Sequence, residues 1–486
     1  MPYILAIDEG TTGVRAHVFD ESSTLRGAAY LELSPSYPRP GWVELDPEDI
    51  WLRTLKVCEQ ALEAASLKPG DLHGLGICNQ RATTLVWERA NGRPVYPAIV
   101  WQDTRTAERV PELLAAGVFT NAMASASKLE WILRNVPNGF ERAADAKLCF
   151  GTVDTWLLWK LTGGAVHATD SSNASCTTLY DAMQDAWDTN ALDILKVSPA
   201  IMPSIRSSSQ IYGETAKAAF GAAVPVAGMA GDQQAAMFGE MCLERGAVKI
   251  TYGTSAMADM NTGDLPVFST RGAYPTILWS LNGQRAWGLE GTTITAGAAV
   301  QWLRDGLGVL RSLDECDALA ASVPDAGGVW AVPAFQGLGT PHMDPNARAV
   351  VGGLSRGSTR AHVVRAVLEG IVYRSREVLE TLLGDSGIAP PQRLRVDGGA
   401  AANDFLLQHL ADVIGIPVER PQSVQASALG AAYLAGLAVQ TWKGVDELKK
   451  IWRPGRVFEP RWTADQRDAT FHGWQKAVAT ARERAV

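Results

Sequence analysis

Short apolar runs alternate with amphipathic segments along the whole chain, and this alternation predicts an α/β architecture. The first run, Tyr3–Ile7, delivers Asp8 into a polar turn, and residues 16–20 then alternate like the second strand of a hairpin. Asp46 is followed by Pro47 and by two acids, Glu48 and Asp49, ahead of the apolar residues 50 and 51, which is the pattern of a helix start. The chain therefore predicts strands and helices in alternation from its first residues.

The turn after the first strand has the composition of a phosphate-binding turn. Asp8 is followed there by Glu9, Gly10, Thr11 and Thr12. A carboxylate can hold a hard cation, and a glycine lets backbone N–H groups approach phosphate oxygens. Taken alone, Asp-x-Gly-Thr at a strand end is about as typical of an ordinary turn.

Two segments in the second half of the chain resemble this strand and turn. Residues 248–255 bring an alternating strand into a Gly-Thr-Ser turn, and residues 394–403 combine a strand, a double glycine and a helix start. Two halves with similar turns indicate a duplicated unit that holds a nucleotide between its halves, and chance recurrence is the alternative. A break near residue 245 predicts two domains, 1–245 and 246–486.

Asp232 lies on a tight connection between small residues, in the sequence Gly-Met-Ala-Gly-Asp-Gln-Gln. A carboxylate in such a place can accept a hydroxyl proton as a general base. An Asp ahead of a helical stretch is also a good N-cap. The residues alone leave both roles open.

Composition and charge exclude several classes. A chain of 486 residues has room for two or more domains, since cores rarely exceed about 250–300 residues. The net charge of −8 argues against a nucleic-acid binder. Six scattered cysteines without a Cys-x-x-Cys pair favour a reducing cytoplasm. No run approaches the ~20 apolar residues of a membrane span, and no secretory leader is expected.

Two familiar nucleotide motifs are absent from the sequence. No Gly-x-x-x-x-Gly-Lys-Ser/Thr sequence occurs, and no Gly-x-Gly-x-x-Gly follows a predicted strand. Trp101 ends a predicted strand and can form an apolar wall of a small-molecule pocket close to Arg81.

Ordered motifs carry a resemblance over essentially the whole length. They are Ile7–Thr12, Gly41–Pro47, Asn79–Arg81, Ala98–Gln102, Met123–Trp131, Phe150–Trp156, Thr169–Ser175, Ala230–Ala235, Thr251–Thr254, Pro333–Gly339 and Arg395–Gly399. With these motifs the chain resembles the FGGY carbohydrate kinases, and most closely their glycerol kinase branch. The resemblance implies two ribonuclease H-like domains of the actin and sugar kinase type, with an active-site cleft between the domains.

The same resemblance implies a role for individual residues. Asp8 corresponds to the carboxylate that organises Mg²⁺, Asp232 to the catalytic base, and the polyol pocket to Arg81, Trp101, Asp232 and Gln233. The positions that correspond to nucleotide-binding residues are Thr11, Thr12, Arg15, Thr254, Gly297, Gln301, Gly399, Ala400 and Asn403. The expected cofactors are ATP and Mg²⁺.

Three further pocket positions depart from glycerol kinases. Ala82 replaces an acid, Met123 replaces an aromatic hydroxyl, and Met257 replaces a phenylalanine. Losing an acid and a phenol removes hydrogen-bond partners worth roughly 0.5–3 kcal/mol each and opens space. These changes favour a larger acceptor, such as a C4–C5 polyol or ketose. The alternative is a true glycerol kinase with an altered pocket.

Two other departures concern charge and regulation. Glu9 replaces a glutamine and is expected to add charge next to the metal ligand. Residues 220–223, Phe-Gly-Ala-Ala, replace the Gly-Gly-Thr-Arg loop associated with inhibition by fructose bisphosphate. Because the arginine is missing, we expect no inhibition by this anion.

The sequence thus predicts a cytoplasmic, ATP-dependent kinase that phosphorylates a primary hydroxyl of a small polyol or sugar. The less favoured alternative is a non-catalytic protein that changes conformation with ATP, and the polyol-pocket residues argue against it. A homodimer or tetramer is expected from the family, without nucleic-acid or membrane partners.

Overall fold

The computed structural model describes residues 2–422 and 425–483. Its strands are β1 (Tyr3–Glu9), β2 (Gly13–Asp20), β3 (Leu25–Glu32), β4 (Glu44–Leu45), β5 (Leu72–Asn79), β6 (Leu85–Glu88), β7 (Ala98–Ile99), β8 (Leu148–Gly151), β9 (Ala168–Asp170), β10 (Tyr180–Asp181), β11 (Ala186–Trp187), β12 (Ser204–Arg206), β13 (Ser209–Glu214), β14 (Pro225–Gly231), β15 (Val248–Tyr252), β16 (Ala256–Gly263), β17 (Tyr274–Leu281), β18 (Gln284–Thr293), β19 (Trp330–Val332), β20 (Val350–Gly352), β21 (Leu394–Asp397), β22 (Val418–Arg420) and β23 (Arg456–Phe458).

The helices lie between these strands. They are α1 (Pro47–Ala65), α2 (Val110–Ala115), α3 (Ser125–Asn135), α4 (Gly139–Ala144), α5 (Val153–Leu161), α6 (Ser171–Cys176), α7 (Thr189–Leu195), α8 (Lys217–Phe220), α9 (Asp232–Gly239), α10 (Gly297–Asp305), α11 (Glu315–Ala321), α12 (Arg360–Ser386), α13 (Asp404–Ile414), α14 (Ala426–Ala438), α15 (Val445–Ile451) and α16 (Ala464–Glu483). Short 3₁₀ turns cover Pro69–Asp71, Ala107–Arg109, Pro199–Ile201 and Gly399–Ala402. Among the described residues, no helix is both long enough and apolar enough to cross a membrane.

The chain packs into two compact units. The first contains the described residues up to Met241, with Ile277–Arg285 and Gln425–Trp452. The second contains Cys242–Thr276 and the described parts of 286–424 and 453–486. The functional domains inferred from the motifs, 1–245 and 246–486, are a separate division and stay a prediction.

Both units contain a sheet with the same internal pattern. The first sheet has the order β13-β14-β5-β1-β2-β3, in which β1 and β5, and β5 and β14, are parallel pairs. The second has the order β17-β18-β16-β15-β21-β22-β23, in which β15 and β21, and β21 and β22, are parallel. In each sheet a set of three antiparallel strands, β1-β2-β3 or β15-β16-β18, continues into two parallel strands. The similar turns in the two halves of the sequence therefore reflect a repeated topology.

Local chemistry explains the first long helix. Asp46 accepts a hydrogen bond from the N–H of Glu48 at 2.9 Å, and Pro47 occupies the first helical position. The helix ends where Ser66 adopts a left-handed conformation, with φ of 58°. Its buried face, which includes Ile50 and Val57, packs in the same hydrophobic core as β1, β2 and β5. The predicted helix start at residues 46–49 is confirmed.

Helix α14 lies directly on the sheet of the first unit because glycines leave room for it. A Cβ atom at Gly76 would lie 2.2 Å from the carbonyl oxygen of Ala431, and one at Gly228 would lie 2.4 Å from the amide nitrogen of Ala435. A Cβ atom at Gly430 would lie 1.8 Å from the carbonyl oxygen of Ala235 in α9. Side chains at these positions would push the helix away.

Candidate active site

The carboxyl ends of three parallel strands meet at one edge of the first sheet. Strand β1 ends at Glu9, β5 ends at Asn79, and β14 ends at Gly231, immediately before Asp232. Glu9 is paired with Asn79, and Asn79 with Gly231, so the three ends are in register. Ligands of open α/β sheets bind outside this edge.

The turn between β1 and β2 brings together the predicted metal and phosphate residues. Gly10 N donates to the carbonyl oxygen of Gly13 at 3.0 Å and closes the turn. Arg15 lies opposite Asp8 in the ladder, and its Nη1 is 3.9 Å from the Asp8 carboxylate. Thr11 and Thr12 occupy the turn itself, where Thr12 is exposed.

The single carboxylate of Asp8 suits Mg²⁺, which does not need a set of ligands supplied entirely by the protein. Within residues 2–422 and 425–483, no group of three or more His, Cys, Asp or Glu is placed to hold a metal ion. Mg²⁺ keeps several waters and needs only one or two carboxylates besides substrate phosphates. The Asp8 side chain is 14% exposed, which leaves one face of the carboxylate accessible.

Glu9 differs from the sequence-based expectation. Its side chain is fully buried on the side of the strand opposite Asp8, and burial raises its pKa well above the ordinary value, with Asp8 and Asp49 adding to the effect. Burial thus disfavours the charged form of Glu9, because it removes the water that would stabilise the anion. This argues against the expectation that Glu9 adds charge next to the metal ligand.

Asp232 is the first residue of α9, and Gly231 occupies the N-cap position. The alternative role of Asp232 as N-cap is therefore not what the structure shows, although one carboxylate oxygen accepts a bond from Gln233 N at 2.8 Å. Arg81 Nε lies 3.4 Å from the same oxygen, and the Asp232 side chain is 30% exposed. An accessible carboxylate beside a guanidinium can accept a proton from a bound hydroxyl.

Residues that the sequence analysis did not assign hold this aspartate in place. Ser172 Oγ accepts a hydrogen bond from Gly231 N at 3.0 Å, and Ser427 Oγ donates to the carbonyl oxygen of Asp232 at 3.1 Å. Ser172 in turn donates to Asp170, which is buried. In the sequence, only the family motif at residues 169–175 pointed to Ser172, and the resemblance assigned no role to that residue.

Trp101 joins the predicted polyol pocket to the phosphate turn. Its indole N–H donates to Thr11 Oγ1 at 2.9 Å, and its backbone N–H donates to Thr83 Oγ1 at 3.3 Å. Thr83 donates to Gln80, whose amide group donates to the carbonyl oxygen of Gly10 at 3.1 Å. The pocket and the turn are therefore tied by a continuous chain of hydrogen bonds.

The remaining pocket positions differ in exposure. Ala82 is buried and has a left-handed backbone with φ of 59°. Met123 is 45% exposed, in the loop ahead of α3. Met257 belongs to the second unit, where it lies on β16 opposite Thr251 of β15.

The predicted nucleotide residues of the second unit fall into two groups. One surrounds the turn after β15, and the other follows β21, the parallel neighbour of β15. In the first group, the amide groups of Ala296 and Ala298 donate to the carbonyl oxygen of Thr254 at 3.0 and 3.1 Å. A Cβ atom at Gly297 would lie 2.5 Å from the carbonyl oxygen of Gly253, so only glycine fits. Gln301 follows one helical turn later on the same face of α10.

The second group lies where β21 leads into α13. Gly399 and Ala400 form a 3₁₀ turn, and Asn403 caps α13 by accepting a bond from Leu406 N at 2.8 Å. A Cβ atom at Gly399 would have no described atom within 4 Å, whereas one at Gly398 would lie 2.4 Å from the carbonyl oxygen of Tyr252. Bare backbone is therefore accessible at Gly399, as contact with a nucleotide requires.

Parallel strands that present a carboxylate, a threonine turn and glycine-rich loops define a phosphotransferase of the sugar kinase class. The chain matches the N-terminal domain of the FGGY family of carbohydrate kinases over residues 3–239 and the C-terminal domain over residues 248–439. It belongs to this family and is an ATP-dependent phosphotransferase.

Relatives and solved structures agree along the whole length. The chain is 47% identical to a glycerol kinase of Deinococcus radiodurans and 47% identical to glycerol kinase 2 of Thermotoga maritima, covering 99% of this chain and 98% of each relative. A crystal structure of Plasmodium falciparum glycerol kinase with ADP superposes with a TM-score of 0.92 at 32% identity, covering 99% and 98% of the two chains. A xylulose kinase from Rhodospirillum rubrum, at 24% identity, 98% coverage of both chains and a TM-score of 0.85, shares the fold.

Proposed function

We propose that this carbohydrate kinase transfers the γ-phosphoryl group of ATP to a primary hydroxyl of glycerol, giving glycerol 3-phosphate and ADP. The observation that carries the proposal is the accessible Asp232 carboxylate, 3.4 Å from Arg81 Nε at the carboxyl edge of the first sheet. The identity of the acceptor is supported by curated glycerol kinases that align over the full chain.

Asp232 acts as the general base in this proposal. It takes the proton of the acceptor hydroxyl as the oxygen forms its bond to the γ-phosphorus, while the bond from that phosphorus to the bridging oxygen of ADP breaks. Arg81, whose Nε lies 3.4 Å from the carboxylate, orients it. Phosphoryl transfer depends mainly on positioning and charge neutralisation, so the side chains need not form a covalent intermediate.

Charge on the phosphates is balanced from both halves of the sequence. Thr11, Thr12 and Arg15 serve the phosphates from the predicted domain 1–245, and Thr254 from the predicted domain 246–486. Gly297, Gln301, Gly399, Ala400 and Asn403 bind the rest of the nucleotide. Asp8 would hold Mg²⁺, which when bound supplies the positive charge that neutralises the transferred group.

A larger acceptor is the less supported interpretation. Ala82, Met123 and Met257 favoured a C4–C5 polyol or ketose in the sequence analysis, but the comparisons support glycerol and do not support a specific larger substrate. We therefore interpret these three residues as tolerated changes in a glycerol-binding pocket.

We also propose a cellular location and an oligomeric state for the enzyme. In the part of the chain that the structure describes, the six cysteines form no disulfide, and five of them are buried, which is compatible with a cytoplasmic enzyme. A homodimer or tetramer is proposed from the family resemblance. Light scattering on the purified protein tests this assembly directly.

The decisive experiment measures ADP formation by the purified enzyme with MgATP and a panel from glycerol to C5 polyols and ketoses. Glycerol is expected to give the highest kcat/KM, with glycerol 3-phosphate identified by mass spectrometry. A higher kcat/KM for a C4 or C5 acceptor would overturn glycerol as the substrate, and no acceptor-dependent turnover would overturn the kinase mechanism itself.

A further inference from the structure

A buried lysine connects two segments of the predicted acceptor pocket. Lys128 is the fourth residue of α3, and its side chain is fully buried. Its Nζ lies 3.0 Å from the carbonyl oxygen of Val100, 3.0 Å from that of Trp101 and 2.8 Å from that of Met123. An ammonium group has three N–H donors, so each carbonyl receives one hydrogen bond.

Burying this ammonium group costs free energy of folding. A buried charge is strongly disfavoured unless its hydrogen bonds are complete, and a cation near a helix N-terminus opposes the helix dipole. Burial lowers the pKa of Lys128 to about 7, and the nearby Asp103 acts in the opposite direction. An apolar side chain in the same space would deprive three carbonyl oxygens of their lysine donor. The three carbonyl contacts therefore require an explanation beyond packing.

Ser125, one turn earlier on the same face of α3, makes a similar contact. Its Oγ donates to the carbonyl oxygen of Ala82 at 3.1 Å. Together Ser125 and Lys128 bind the main-chain carbonyls of Ala82, Trp101 and Met123. These are three of the positions assigned to the acceptor pocket. The bonds to α3 involve only their main-chain carbonyl groups and not their side chains.

We propose that Lys128 is a positioning residue of the acceptor pocket, which fixes the separation of the Trp101 and Met123 segments and so sets acceptor affinity and selectivity without touching the acceptor. Ser125 does the same for Ala82 to a smaller extent. This inference rests on the proposed function, because it takes Trp101 and Met123 as acceptor-binding positions.

The test compares three variants on α3. Lys128→Met keeps the length of the side chain and removes the three donors, and Ser125→Ala removes one donor in a milder way. Glu130→Gln is the matched control, since Glu130 also lies on α3 but pairs with Arg109 and Arg134 outside the pocket. Each variant is first checked for cooperative thermal unfolding.

The measured quantities are KM and kcat for the acceptor, KM for ATP, and amide hydrogen exchange over residues 100–104 and 121–124. For Lys128→Met we expect KM for glycerol to rise at least about 10-fold and exchange to quicken in both segments, with KM for ATP changed less than about 3-fold. The preference for glycerol over longer polyols should weaken. For Ser125→Ala we expect a rise of about 2- to 5-fold in the KM for glycerol.

Other outcomes overturn the inference. A folded Lys128→Met enzyme with unchanged KM for the acceptor excludes a positioning role, as do equal changes in Glu130→Gln. If Lys128→Met does not fold, the test rests on Ser125→Ala. An unchanged KM for the acceptor in that variant excludes a positioning role for α3 as a whole. Wild-type turnover on the panel decides the proposed function separately, and whichever acceptor the wild type prefers replaces glycerol in these comparisons.

Discussion

The indole N–H of Trp101 donates a hydrogen bond to Thr11 Oγ1 at 2.9 Å, and so links a wall of the predicted acceptor pocket to the predicted phosphate turn. We therefore predict that this bond couples the two regions, so that a change at either residue affects the other.

Replacing Trp101 with Phe keeps an aromatic wall and removes the N–H donor. We expect kcat/KM to fall by about 2- to 10-fold, because a hydrogen bond of this kind contributes roughly 0.5–1.5 kcal/mol. A double-mutant cycle with Thr11→Val measures the coupling between the two residues. Strictly additive effects would show that the bond does not couple the pocket to the turn.

Replacing Asp232 with Asn removes the proposed base and keeps its shape. Turnover should fall by about 10²- to 10⁴-fold, since this is the usual contribution of a positioned base. ATP binding, measured by calorimetry, should stay nearly intact because Asp232 is not assigned to the nucleotide. Unchanged turnover would remove Asp232 from the mechanism.

Restoring the two lost polar groups should improve glycerol binding. The double variant Ala82→Glu/Met123→Tyr adds a carboxylate and a phenol, each able to contribute roughly 0.5–3 kcal/mol to a bound triol. We expect KM for glycerol to fall by about 10-fold. The control Ala82→Gln/Met123→Phe has similar volume without the charge and the hydroxyl. An equal gain in the control would mean that volume alone matters.

Fructose bisphosphate should not inhibit the enzyme at millimolar concentration. Residues 220–223 contain no arginine, and the segment turns at Gly221, where φ is 86°. A guanidinium is the usual partner for such a doubly phosphorylated sugar. Initial rates with and without the effector test this, with inorganic phosphate as the control for ionic strength. Dose-dependent inhibition specific to the sugar phosphate would contradict the prediction.

Acid should destabilise the second unit through His409. This side chain is buried among Tyr373, Phe405 and Trp462, and burial lowers its pKa from 6.5 to about 3. The unfolded chain thus binds more protons between these values, so the free energy of unfolding falls as the pH drops below 6.5. His409→Phe cannot bind that proton, and its loss of stability from pH 6.5 to about 4.5 should be smaller by about 2–3 kcal/mol.

Denaturant unfolding followed by tryptophan fluorescence at several pH values measures this difference. The comparison between wild type and variant cancels the contributions of other buried histidines, such as His17 and His167 in the first unit. Parallel pH profiles for the two proteins would show that His409 does not carry the effect.

Local signals made part of this structure predictable from sequence. The hairpin that carries Asp8 follows from alternation and a glycine turn, and α1 follows from its capping residues. The requirement for glycine at Gly398, where a Cβ atom would lie 2.4 Å from the carbonyl oxygen of Tyr252, shows why the double glycine was informative. These features depend on neighbours close in sequence or on backbone geometry alone.

The rest depends on partners that are distant in sequence. Lys128 finds its acceptors at Val100, Trp101 and Met123, and nothing in the spacing says which carbonyls a buried ammonium will meet. The sequence shows Glu9 among polar neighbours, but it does not show that the side chain is fully buried in the fold. The short strand β23 is not predictable from the sequence either, because three residues carry too little alternation to identify an edge strand.

The position of α14 has a consequence for how the protein is made. Ser427, at the start of this helix, holds the carbonyl group of Asp232, and Gly430 packs on α9, yet both residues are synthesised long after the strands they cover. Chains emerge from the ribosome N-terminus first, so the first unit must wait with the glycine faces of β5 and β14 uncovered until residues 426–438 appear. A truncated chain that stops before α14 would keep every residue of β1, β5 and β14 and still lack the helix that closes their sheet.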